Sequence, residues 1–120
     1  MSVALSYSPP INKKEFDMTQ QVAETVTFHL NEGVSTDDFL NAIKSTEEFV
    51  ANYPGFVFRR LSNGEDGKWT DTVIWQDMDT AQKVAEEFSK QAFIPALMSA
   101  INSESLAIRH ETIRWSMAPS

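Results

Sequence analysis

The order of two periodicities along the chain leaves few folds open. Val22, Glu24, Val26, Phe28 and Leu30 alternate with Ala23, Thr25, Thr27 and His29. Period two with β-branched residues reads as a strand, and Asn31-Glu32-Gly33 ends it. Ser35 then offers an N-cap, and Asp37 and Asp38 stand in the first turn, where the helix dipole favours negative charge. On a helical wheel Phe39, Ala42, Ile43, Thr46, Phe49, Val50 and Tyr53 fall within an arc of about 120°. One amphipathic helix is therefore predicted, stopped by Pro54-Gly55. Phe56 to Leu61 reads as a second strand, Asn63 to Gly67 as a hairpin connection and Trp69 to Gln76 as a third strand. Asp79 and Gln82 have capping-box spacing, and Ala81, Val84, Ala85, Phe88 and Ala92 make one face of a second helix. Pro95 should break that helix and leave a shorter one from about 95 to 101. Leu106 to Trp115 reads as the last strand.

The order β-α-β-β-α-β predicts an α+β, ferredoxin-like fold: a four-stranded antiparallel sheet with both helices on one face. Such a sheet commonly leaves its other face wet. Here the alternation places Phe56 and Phe58 against Val57 and Leu61, Trp69, Val73 and Trp75 against Ile74, and Leu106 and Ile108 against Ile113 and Trp115. Neither face reads as solvated, so a partner on the second face is expected, and a homodimer is the simplest one. Residues 1–20 carry Pro9-Pro10 and no sustained periodicity, so they are assigned as an N-terminal extension; Tyr7, Ile11 and Phe16 would serve if it were an arm on a partner. The domain spans 21–116, and 117–120 form a C-terminal tail.

Composition removes several function classes. The 120 residues contain no cysteine and two histidines, which excludes thiolate chemistry and a His-rich metal site. A net charge of −7 is a poor balance for a nucleic-acid binder. No apolar run approaches the roughly 20 residues that span a bilayer. Lys13 and Lys14 follow a short mixed segment instead of preceding an apolar one, so no secretory signal is read and a cytoplasmic location is expected. GxGxxG, P-loop, HExxH and nucleophile-elbow patterns are all missing, so no cofactor and no metal are expected.

Several segments carry a family resemblance over residues 21–116: Glu24 to Phe28, the turn Tyr53-Pro54-Gly55-Phe56, Asp66 to Trp75, Ala81 to Phe88, and His110 to Trp115. In these the chain resembles the antibiotic-biosynthesis-monooxygenase-like (ABM) domains of the dimeric α+β barrel superfamily. The resemblance implies a homodimer in which two sheets meet as a barrel, with a pocket between sheet and helices in each subunit. It also implies a range of activities, from cofactor-free oxygenation of aromatic polyketides to isomerisation and heme degradation. The heme-degrading branch uses an asparagine on the first strand and a histidine on the second long helix. This chain has no asparagine before Asn31 in that strand and no histidine between Ala81 and Ile101.

Five residues are candidates for chemistry. His29 and His110 could each serve as a general base toward a phenol or enol, since imidazole titrates near neutral pH. If the first and last strands are neighbours, the two rings could approach each other; the alternatives are a bond to a neighbouring strand or loop carbonyl for His29 and a cross-strand structural pair for His110. Trp75, with Trp69 and Asp71 on the same face, would wall a flat ligand beside a carboxylate; core packing is the alternative. Arg59 and Arg60 point to opposite sides of their strand, and Arg59 is the candidate for an anionic ligand group. Two function classes are open. One is a cofactor-free, monooxygenase-like enzyme that oxidises or isomerises a small aromatic or enolic metabolite. The other is a non-catalytic homodimer that binds a small ligand or serves assembly. In either case light scattering after size-exclusion chromatography should give about twice the chain mass, and a stable monomer at micromolar concentration would contradict the barrel.

Overall fold

The computed structural model describes residues 20–119. The N-terminal extension assigned to 1–20 therefore lies outside the described residues except for Gln20. The strands are β1 (Val22–Phe28), β2 (Phe56–Asn63), β3 (Trp69–Trp75) and β4 (Ala107–Thr112), all antiparallel in the order β2-β3-β1-β4. This is the ferredoxin-like topology expected from the sequence. The helices α1 (Thr36–Lys44), α2 (Glu47–Ala51), α3 (Met78–Phe88) and α4 (Ile94–Ala100) cover one face.

The first helix is not continuous. Ser45 and Thr46 each donate a side-chain hydroxyl to a carbonyl three residues back, at 2.5 Å to Ala42 and 2.7 Å to Ile43. Their backbone N–H groups close on the same two carbonyls. Serine and threonine compete in this way with the helical ladder, so α1 ends there and α2 begins separately at Glu47. Thr46 is completely buried as a result. The second helix also differs from expectation. Its N-cap is Asp77, whose carboxylate accepts the Thr80 N–H at 2.8 Å, while Asp79 lies inside the first turn. It ends at Phe88, short of Ala92. Pro95 opens α4, where its missing N–H leaves no bond unmade.

The last strand is shorter than its pattern. It covers Ala107–Thr112, and Trp115 beyond it is 77% exposed. In β2 a bulge lies between Phe56 and Phe58: Phe56 pairs with Trp75, and Phe58 pairs with Ile74. The extra residue, Val57, reverses the parity of the strand beyond it. Phe58 turns to the open face, and Arg59 and Leu61 turn to the helices. Simple alternation puts Phe58 on the face of Phe56 and Leu61 on the opposite one; the bulge reverses both. The open face is consequently rich in half-buried threonines (Thr25, Thr27, Thr70 and Thr72) beside Ile74 and the exposed Phe58.

The core forms two clusters, one toward each end of the sheet. Val22, Val50, Val73, Trp75, Ala81 and Val84 make the first. Phe28, Phe39, Trp69, Leu97, Ala100 and Ile101 make the second, where Phe39 meets Phe28 and Trp69 edge-on at 5.5 and 5.0 Å. Helix α2 enters β2 through Gly55 at φ +99°, a conformation L residues avoid. A Cβ there would also stand 2.9 Å from Thr80 Cγ2 and 3.0 Å from Gln76 Cγ. Gly55→Ala should therefore cost about 1–3 kcal/mol, read as a lowered midpoint in thermal or urea unfolding. An unchanged midpoint would contradict this account of the turn.

Candidate functional site

Between the two core clusters lies a cavity of about 350 Å³, within the range that holds small organic ligands. Its floor is the sheet and its roof is made by α2, α3 and α4, with Val50, Phe88 and Leu97 among the apolar walls. Among the described residues, three ionisable ones line it: Glu24, Arg59 and Asp71. The sheet register explains how they meet. Arg59, Val73, Glu24 and His110 form one cross-strand row on the helix-facing side, and Leu61, Asp71, Val26 and Ile108 form the next. Charged side chains then reach diagonally between rows, as neighbours across strands can.

Arg59 grips Asp71 with two bonds, Nε to Oδ1 at 3.0 Å and Nη2 to Oδ2 at 2.8 Å. Its Nη1 donates to the Thr46 hydroxyl at 2.8 Å. The break between α1 and α2 thus places a hydroxyl where a sheet arginine can use it. Both side chains of the ion pair are largely buried, at 15% and 12% exposure. A fork-on-carboxylate geometry suits such a site because it satisfies both charges at once.

Glu24 is held differently. The Trp75 indole N–H donates to its Oε1 at 3.1 Å. His110 Nε2 lies 3.2 Å from its Oε2. A carboxylate can only accept, so Nε2 carries the proton of that bond. Glu24 is 12% exposed and His110 25%. The Trp75 ring continues into the first core cluster, edge-on to Tyr53 and Phe56 at 5.9 and 5.8 Å.

The five residues singled out in the sequence are not all gathered here. Trp75, Asp71 and Arg59 line the cavity, and His110 stands behind Glu24. His29 lies just past the end of β1, against the β2–β3 hairpin, and does not line the cavity. Its N–H donates to the Ser105 hydroxyl and its carbonyl accepts from Asn102. The Lys68 N–H chiefly holds the Asp66 carboxyl below its ordinary range, and His29 adds to that lowering. The two histidines do not approach each other. His110 pairs with Glu24 on β1, five residues before His29, a separation of about 16 Å along an extended chain. Trp69 belongs to the second core cluster and not to the cavity wall.

Glu24 is the residue that sequence reasoning missed. The signal was present: it is the one charged residue on the side of β1 that carries Val22, Val26 and Phe28. A carboxylate on the buried side of a strand needs partners or a task. Among the described residues, no group of three His, Cys, Asp or Glu side chains could hold a metal ion. No helix among them is long and apolar enough to cross a membrane.

Asp71→Ala should destabilise the protein by about 3–5 kcal/mol, because it strands a buried guanidinium. The pair Arg59→Met with Asp71→Leu should recover most of that loss. Urea unfolding of the three proteins checks both statements, and equal stability of the single and double variants would contradict them.

Comparison with solved structures gives the fold a wider setting. A crystal structure of a point mutant of SnoaB, a cofactor-independent oxygenase from Streptomyces nogalater, superimposes with a TM-score of 0.65 at 20% identity, covering 83% of this chain and 99% of that one. A protein provisionally named an antibiotic biosynthesis monooxygenase, from Bordetella bronchiseptica, gives 0.65 at 15% identity over 80% of this chain and 99% of that one. A protein of unknown function from Nitrosomonas europaea gives 0.63 at 12% identity over 86% and 98%. At these identities the likeness shows a shared α+β fold. No family model matches the chain, and no curated protein matches it.

Proposed function

We propose that this protein is monooxygenase-like and binds a flat aromatic or enolic metabolite in the cavity between sheet and helices. There it would oxidise the metabolite with dioxygen. The observation that carries this reading is a carboxylate, Glu24, that has no arginine partner in a mostly apolar enclosure. Arg59 and Asp71 compensate each other, which leaves Glu24 as the acceptor facing the ligand. Each of its oxygens makes one bond to the protein and keeps a lone pair for a substrate proton.

The chemistry rests on that arrangement. Glu24 takes a proton from an acidic C–H or from an enol or phenol O–H of the bound ring system. Trp75 and His110 fix the direction of its lone pairs, so little reorganisation is needed. The resulting enolate or carbanion is electron-rich enough to pass an electron to dioxygen. Recombination forms a C–O bond, and loss of water leaves a carbonyl. One oxygen atom stays on the substrate, the other leaves as water, and a ring CH2 becomes C=O with atoms and electrons balanced. The apolar walls keep water from quenching the intermediates. The solved structures of similar fold include a cofactor-independent oxygenase, which supports this reading over other uses of the cavity.

Two copies would join through the open sheet face, where the threonines, Ile74 and Phe58 are available for a partner. His29, far from the cavity, takes no part in this scheme.

Oxygen uptake with a panel of anthrone-, phenol- and quinol-type substrates tests the proposal. Glu24→Gln keeps the size of the side chain but removes the base, and should lower kcat by about 100-fold or more. His29→Ala should leave the rate unchanged. Turnover that survives Glu24→Gln and fails in His29→Ala would overturn the assignment. Tight ligand binding with no oxygen uptake on any substrate would favour the binding-module class instead.

A further inference from the structure

A second concavity, an open groove of about 580 Å³, lies between α2 and the C-terminal end of α3. Phe49, Tyr53 and Phe93 are half-buried along it, and Glu48 and Glu87 are exposed beside them. The rings form one connected set: Phe49 meets Tyr53 at 5.7 Å and Phe93 at 6.1 Å. The Tyr53 hydroxyl donates to Glu87 Oε2 at 3.1 Å, which holds that carboxylate over the groove. Among the described residues, no lysine or arginine lines the groove, and neither Glu48 nor Glu87 takes part in an ion pair. Aromatic faces next to uncompensated carboxylates suit a cation carried on an apolar stem.

We propose that the occupant is this chain's own N-terminal segment, residues 11–16, with Lys13 and Lys14 against Glu48 and Glu87 and Phe16 on the aromatic rings. Charge and shape agree. The segment reads Ile11-Asn12-Lys13-Lys14-Glu15-Phe16, and no other lysine or arginine precedes Lys44. The chain also enters the described structure beside the groove. Val22 opens β1 opposite Trp75, and the Trp75 ring is edge-on to Tyr53 at 5.9 Å. Tyr53 packs against the same core cluster as Val22. Gln21 is fixed at this end of the sheet, since its carbonyl accepts the Ile113 N–H at 2.8 Å. The nine residues 11–19 reach at most about 30 Å when extended, which covers the path from Gln20 past the end of the sheet to α2 and α3.

Exposed ion pairs alone hold little, so two further effects matter. Phe16 adds apolar contact on rings that are otherwise half open to water. A tethered segment also meets its groove at an effective concentration on the order of millimolar, so contacts too weak to capture a separate molecule suffice for it. Docking has a consequence for the helix layer, whatever the cavity binds. Phe88 lines the cavity and stands 6.0 Å from Phe49 and 4.9 Å from Phe93, ring centre to ring centre. A segment seated on Phe49 and Phe93 braces from outside the same helices, α2 and α3, that roof the cavity from within.

The chain has no cysteine, so Asn12→Cys gives a single site for a nitroxide label. The measurement is the paramagnetic broadening of backbone amide signals in the full, isotope-labelled chain. The Asn52 and Gln91 amides at the groove should lose most of their intensity. Those of Thr70 and Ala107, at the opposite end of the sheet, should keep theirs. Lys13→Glu with Lys14→Glu should restore the Asn52 and Gln91 signals, and adding Glu48→Lys with Glu87→Lys should broaden them again. Undiminished Asn52 and Gln91 signals in the labelled chain would overturn the proposal. So would broadening that survives the lysine reversal, or a groove reversal that fails to bring it back. Equal broadening when nitroxide-bearing chains without isotope are mixed with isotope-labelled chains without nitroxide would assign the groove to another copy's segment and overturn it too. Unchanged Thr70 and Ala107 chemical shifts separate a displaced segment from a disturbed fold.

Discussion

A guanidinium cannot be left alone under a layer of helices. Its burial is tolerable only with a carboxylate beside it, and the Arg59–Asp71 pair meets that condition with two short bonds. Much of the surrounding architecture conforms to this pair. It ties β2 to β3 across their helix-facing side. Through Thr46 it ties the sheet to the break between α1 and α2. It also explains why the core is split: the polar row interrupts apolar packing between the cluster around Trp75 and the one around Phe39. The cavity occupies that interruption.

The second polar set has a different logic. Glu24 is not neutralised by an arginine. It is steadied by an indole N–H and an imidazole, both of which orient it without removing its capacity to accept. A single floor of sheet therefore carries one carboxylate committed to an ion pair and one that keeps lone pairs free, separated by Val73. The same chemical group serves two ends because of what stands beside it, not because of depth: Asp71 and Glu24 side chains are equally exposed, at 12% each.

The fold was largely legible in the sequence, because it depends on periodicity. Element order, the stop at Pro54-Gly55 and the restart at Pro95 could all be read from residues a few positions apart. The departures came from interactions that periodicity does not encode. Ser45 and Thr46 fit a helical wheel, yet their hydroxyls compete with its hydrogen bonds. Leu106 to Trp115 alternates well, but β4 pairs on one side only, with β1, and its ladder ends at Thr112. The site was legible in part. Arg59, Asp71 and Trp75 stood out by residue type, and they do meet in the cavity. Glu24 was hidden by its place in a regular alternation, and His29 drew notice because histidine is chemically versatile wherever it lies. Which of them share a cavity depends on strand register, and one residue of slip exchanges the two faces of a strand.

The bulge at Val57 bears on how this protein can change over generations. It is a spare residue in a strand whose two halves serve different ends: Phe56 packs on Trp75 in the core, and Arg59 faces the cavity. Loss of the codon for Val57 would keep both halves on their present faces, since it only removes the surplus. Loss of the Arg60 codon would let the ladder close by absorbing the bulge instead. Phe58 would then turn inward and Arg59 outward. One small deletion in one strand, absorbed without unravelling the sheet, would replace a cation by a phenyl ring and leave Asp71 without its partner. A single deletion can therefore exchange which residues of β2 face the helices, and a second change at Asp71 would then relieve the stranded carboxylate.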